Sequence, residues 1–124
     1  MPSRFLRLGP ALGRPTILAA LLFAAASSCA ETGRAERGRQ LLAQYQCGSC
    51  HTIPGVASAG GRTAASLKGF ALRSYIAGRL ANRPDLLARW IEQPQALVPD
   101  TRMPSMGVSS DDARDMAAYL LELK

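Results

Sequence analysis

The run Cys47-Gly48-Ser49-Cys50-His51 places two thiols three residues apart and an imidazole on the very next residue. Such a set can cycle as a dithiol, bind zinc, close a disulfide, or add to the two vinyl groups of one porphyrin edge while the imidazole reaches iron. The surroundings separate these uses. A redox-active Cys-x-x-Cys of the thioredoxin kind follows a strand and opens a helix, whereas here the pattern follows a helical stretch and enters a Gly-rich loop. Zinc would need further Cys or His, and beyond Cys29 the chain has none. A structural disulfide leaves His51 without a role. Covalent haem attachment accounts for all three side chains, and Gly48 and Ser49 are small enough to let the backbone lie against the macrocycle.

His51 is the one histidine in the sequence, so two-histidine ligation within the chain is excluded, as is a second haem of this kind. Of the four methionines, Met1 is the initiator and Met116 falls on the apolar face of the last expected helix. Met103 and Met106 remain as sixth ligand. Met103 is the better candidate, because Pro99-Asp100-Thr101-Arg102-Met103-Pro104 is stiff enough to pin a thioether, while Met106 lies nearer the turn at Gly107. Thioether ligation favours ferrous iron and raises the potential. With both axial positions filled no substrate reaches the metal, so the expectation is electron transfer rather than catalysis.

Positioning such a group falls to helices. Ala35, Gly38, Leu41, Leu42 and Tyr45 recur every three or four residues, predicting an amphipathic helix that ends where Cys47 begins. Thr52 to Thr63, with Pro54, Gly55, Gly60 and Gly61, reads as a loop, and 68–81 as at most a short helical turn. Pro84 opens a middle helix with Leu86, Leu87, Trp90 and Ile91 on one face, and Pro94 stops it. Residues 94–108 hold three prolines and are expected to be extended or turning. A last helix is capped by Ser109 or Ser110, with Asp111 and Asp112 at its positive end and Lys124 at its negative end. No strand pattern of convincing length appears. The expected fold class is all-α, three to four short helices in one domain.

Met1 to Arg14 is basic, and Pro15 to Ser27 is a mostly apolar run too short to span a bilayer comfortably, the layout of an export signal. Ala26-Ser27-Ser28-Cys29-Ala30 reads either as a lipoprotein box with Cys29 lipidated, or as a small-x-small cleavage site that discards Cys29. The expected layout is a signal over 1–29, a short polar tether over 30–34 and the folded domain over 35–124. Of the formal charge of +6, three units come from Arg4, Arg7 and Arg14, leaving about +3. The other arginines are scattered without interleaved aromatics, which argues against a nucleic-acid surface. Aromatics are 6% of the chain, so a core of side chains alone would be lean and a buried macrocycle would supply the missing apolar bulk.

With these residues in hand, the sequence resembles class I, monohaem cytochromes c from about Ala35 to Leu123. Gly38 matches the glycine at which the first helix of that family crosses the last, and Met116 with Tyr119 match the residues that meet it. Pro99, Thr101 and Met103 match the distal loop. The resemblance implies one haem c, covalently bound, and places Arg73, Tyr75 and Trp90 near its propionates, although Trp90 also sits on its helix's apolar face. Arg73-Ser74-Tyr75-Ile76-Ala77-Gly78 and Trp90-Ile91-x-x-Pro94 look like a bacterial subgroup found free, often as lipoproteins, or appended to haem-copper oxidase subunit II. By analogy this implies a monomeric carrier on the periplasmic side of the inner membrane, taking electrons from a membrane reductase and giving them to a terminal oxidase. An electron-relay subunit of a membrane complex and a haem-based gas sensor are the other readings. One departure stands out: the family's Gly-Pro-x-Leu is Ala64-Ala65-Ser66-Leu67 here, so Ala65 keeps the carbonyl that meets the proximal histidine but loses proline's rigidity, and a looser hold on that histidine, with a shifted potential, is expected.

Overall fold

The computed structural model describes residues 31–124. Residues 1–29, expected to be an export signal, lie outside these residues, Cys29 included. Helix α1 covers 31–44, with Ala35, Gly38, Leu41 and Leu42 buried at the spacing the sequence sets out. Residues 31–34, expected as a tether, are instead helical and continuous with it. Arg34 gives the reason, since its Nε lies 3.2 Å from Asp115 Oδ1 and draws the first turn onto the last helix.

After Gln46, which turns left-handed at φ 56°, a short 3-10 turn covers Cys47–Ser49. The loop that follows carries one isolated bridge, Thr52 to Gly60. A second 3-10 turn, Phe70–Leu72, matches the expected helical turn. It leads, against the expectation of no strand, into an antiparallel pair: β1, Tyr75–Ile76, and β2, Leu80–Ala81, with Tyr75 opposite Ala81 and Ile76 opposite Leu80. Ala77 and Gly78 both take positive φ, 50° and 69°, and Arg79 N–H donates to Ile76 C=O at 3.0 Å, a turn whose twist suits a hairpin. Strands of two residues are too short for alternation to register in sequence.

Helix α2 is Pro84–Glu92, with Pro84 in its first turn and Leu87, Ala88, Trp90 and Ile91 buried. Pro94 does end it, pushing Gln93 to φ −139°, but the same proline opens a one-turn helix α3, Pro94–Leu97, where extended chain was expected. Helix α4 is Ser110–Leu120, and the hydroxyl of Ser109 accepts from Asp112 N–H at 3.2 Å as its cap. Its last turn carries no basic residue, and Lys124 lies beyond it rather than at its negative end.

The core gathers side chains from every segment, among them Leu42, Ile53, Phe70, Leu87, Trp90 and Met116. Helices α1 and α4 cross at Gly38, where any Cβ would overlap the Asp115 carbonyl, so only glycine lets the backbones meet this closely. Asp115, 9% exposed, is paired there with Arg34 and Arg37, and Arg37 also reaches Asp112, which accepts from Tyr45 Oη at 3.0 Å. A carboxylate this buried needs such partners, since one left unpaired would cost several kcal/mol, roughly 3–5.

Candidate haem site

The turn that carries the thiols is tied down at both ends. Ser49 N–H and Oγ both donate to Gln46 C=O, at 3.0 and 2.8 Å, and His51 N–H donates to Cys47 C=O at 3.1 Å. Cys47 is half-buried against the core and Cys50 is exposed, and both are free thiols. Burial pushes the Cys47 thiol up, keeping it protonated.

His51 is framed by two backbone bonds from the segment opposite. Ala64 N–H donates to Cys50 C=O at 3.0 Å and Leu67 N–H to Thr52 C=O at 2.8 Å, and between them the imidazole Nδ1 lies 2.6 Å from Ala65 C=O. A carbonyl can only accept, so Nδ1 carries the proton and Nε2 keeps the lone pair a metal would take. The close approach of the two segments depends on glycines. A Cβ on Gly61 would overlap Ser49 and Cys50, and one on Gly48 would run into Ala59, so Gly48 is small for the sake of this loop, a reason the sequence did not disclose.

Met103 is half-buried and packs against the apolar cluster, whereas Met106 is 46% exposed. Thr101 Oγ1 accepts from Met103 N–H at 3.2 Å, and Gln95 Nε2, from α3, donates to Met103 C=O at 2.8 Å. Gln95 carries no motif signal; its role follows from the helix that Pro94 starts.

Among the residues linked by resemblance to the propionates, Arg73 donates to the carbonyls of Ser66 and Lys68 and lies 5.4 Å from the Phe70 ring centroid, which ties it to the segment holding Ala65. Trp90 is packed into the core at 8% exposure, and Tyr75 is 60% exposed on β1. Asn82, not singled out in sequence, donates to Phe70 C=O and Arg73 C=O at 3.1 and 2.9 Å, and its Oδ1 is buried without a partner among the described residues. A group with a proton to give fits beside it.

Two free thiols one turn apart, an imidazole with one nitrogen held and the other available, and a helical frame around them are what covalent attachment of a metal-bearing macrocycle needs. The chain belongs to the cytochrome c family, whose model matches residues 35–124. It is similar to the cytochrome c oxidase subunit 2 of Alkalihalophilus pseudofirmus, 35% identical over 91 residues, a stretch that takes in 73% of this chain and 26% of that protein. The chain therefore spans about a quarter of the length of this relative. No solved structure matches it significantly. Membership of the family carries a covalently bound haem c and electron transfer as the function of the domain. The donor set on Cys47, Cys50 and His51 fits that group.

Proposed function

We propose that the chain is a monohaem electron carrier of a bacterial respiratory chain, exported to the periplasmic side of the inner membrane and donating to a haem-copper terminal oxidase. Cys47 and Cys50 would hold the haem as thioethers, His51 Nε2 and the Met103 sulfur would bind its iron, and Ala65 and Thr101 would orient them. When bound, haem supplies the one-electron ferric/ferrous couple. Arg73, Tyr75 and Trp90 lie toward the propionate side. Residues 1–29 direct export, with Cys29 as the lipid site if the signal is of the lipoprotein kind, and the folded domain runs over 35–124.

The observation that carries this reading is the 2.6 Å bond from His51 Nδ1 to Ala65 C=O, which fixes the tautomer a proximal ligand needs. The contrast between half-buried Met103 and exposed Met106 supports the choice of thioether. The similarity to an oxidase subunit 2 supports the acceptor, and it equally supports a second reading in which this domain relays electrons inside a membrane complex. Purification from membranes separates the two: a free carrier comes away from the oxidase, a relay subunit copurifies with it. The optical spectrum tests the centre itself. A ferric methionine-to-iron charge-transfer band is expected in the native protein, with ferrous iron that does not take carbon monoxide readily. Ready carbon monoxide binding would overturn a six-coordinate carrier in favour of a gas sensor.

A further inference from the structure

The segment just after His51 is gripped from outside by both terminal helices. Tyr119 Oη, from α4, donates to Pro54 C=O at 2.7 Å. Arg39 Nη1, from α1, donates to the next carbonyl, Gly55, at 3.0 Å, and Arg39 is itself held by Glu36 through two bonds of 2.9 and 2.7 Å. Gly55 takes φ 73°, and a Cβ there would overlap the Tyr119 hydroxyl, so the turn and the tyrosine are shaped to each other.

From this turn the restraint runs back to the histidine. Ile53 N–H donates to Ala59 C=O at 3.1 Å, Thr52 Oγ1 donates to Gly61 C=O at 2.9 Å, and Thr52 C=O takes the Leu67 bond that frames Ala65. Thr52 is thus a hub between the turn that Tyr119 grips and the carbonyl that His51 meets. We propose that Tyr119, assisted by Arg39, is a positioning residue for His51: its hydroxyl bond to Pro54 holds the 52–56 segment so that the His51 to Ala65 bond stays short. The inference rests on the reading of His51 as the proximal ligand. A short bond to Nδ1 makes the imidazole more basic and favours ferric iron, so slackening it favours ferrous iron and raises the potential.

Tyr119→Phe keeps the ring and deletes the donor. Direct outer-shell partners of metal ligands typically matter 10–100-fold. Tyr119 stands a step further out, and about a threefold shift of the ferric/ferrous equilibrium toward ferrous is expected, about 28 mV upward at 59 mV per tenfold for one electron. The His51 ring signals in the ferric NMR spectrum should move with it. Arg39→Gln, on the surface, should shift both readouts the same way. Tyr45→Phe is the matched control, because it deletes a tyrosine hydroxyl bond onto α4, from the turn just after α1 to Asp112, without touching the loop; its potential and His51 signals should stay put. If Tyr119→Phe and Arg39→Gln leave both readouts unchanged, or Tyr45→Phe moves them equally, Tyr119 is only structural and the proposal fails. If the His51 ring signals of the native ferric protein lie at unshifted, diamagnetic positions, the ligand assignment fails first and takes this inference with it.

Discussion

Ala65 carries the most consequence for its size. Its carbonyl reaches His51 without proline's fixed φ, and the backbone bond to Cys50 is made by Ala64 N–H, not by Ala65 N–H. Proline at 65 would therefore cost no bond seen here and would stiffen the carbonyl. Ala65→Pro is expected to lower the midpoint potential measured by redox titration, and identical values for the two proteins would mean that the 2.6 Å bond already holds the carbonyl as firmly as proline would. The thioether offers a sharper contrast. Met103→Ala is expected to abolish the ferric charge-transfer band, and Met106→Ala to preserve it. The reverse result would move the ligand to Met106.

Among the elements, the crossing of α1 and α4 depends on one missing side chain. Gly38→Ala would set a methyl group into the Asp115 carbonyl and force the helices apart, and overpacking of this kind costs about 3 kcal/mol or more. Gly33, in the same helix, has nothing within 4 Å of a Cβ. Gly33→Ala should stabilise by up to about 1 kcal/mol through helix propensity. Guanidinium unfolding of the two variants gives opposite signs if the crossing is as described. Similar effects from both would mean that α1 does not meet α4 there. The α4 cap is testable in the same way, with Ser109→Ala expected to lose about 1 kcal/mol.

For the molecule as a whole, the acidic residues on α1 and α4 set how it meets low pH. The guanidinium of Arg39 and the amide of Gln40 hold Glu36 down to about 2, and the hydroxyl of Tyr45, with Arg37 after it, holds Asp112 below the usual carboxylate range. A depressed carboxylate contributes stability above its unfolded value, near 4, and that contribution fades as pH falls through the folded one. For Glu36 the window therefore runs from about 4 down to about 2. Glu36→Gln should flatten the dependence of the unfolding midpoint on pH within it, more visibly at low salt because the pair is exposed. An unchanged slope would mean the Glu36 to Arg39 pair is idle in solution. At the alkaline end the sign reverses. Tyr45, through its bond to Asp112, and Tyr119, through burial, both have raised pKa values, so the stability they lend is lost as pH climbs past 10.

What could be read without a structure was whatever depends on neighbours in the chain. Cys47, Cys50 and His51 declare themselves because their chemistry needs fixed spacing. The helices declare themselves because a buried face repeats every 3.6 residues and because Pro84, Pro94 and Ser109 punctuate them. Other features depend on residues far apart in sequence, and only the folded chain decides those. The tether became helix through an ion pair with a residue 81 positions on, and Gly48 is small because of Ala59. His51 has its tautomer because Ala65 faces it, and Tyr119 reaches Pro54 across 65 residues. Spacing along the chain carries local chemistry, whereas hydrogen bonds and overlaps between distant segments exist only once packing has brought them within about 3 Å of each other.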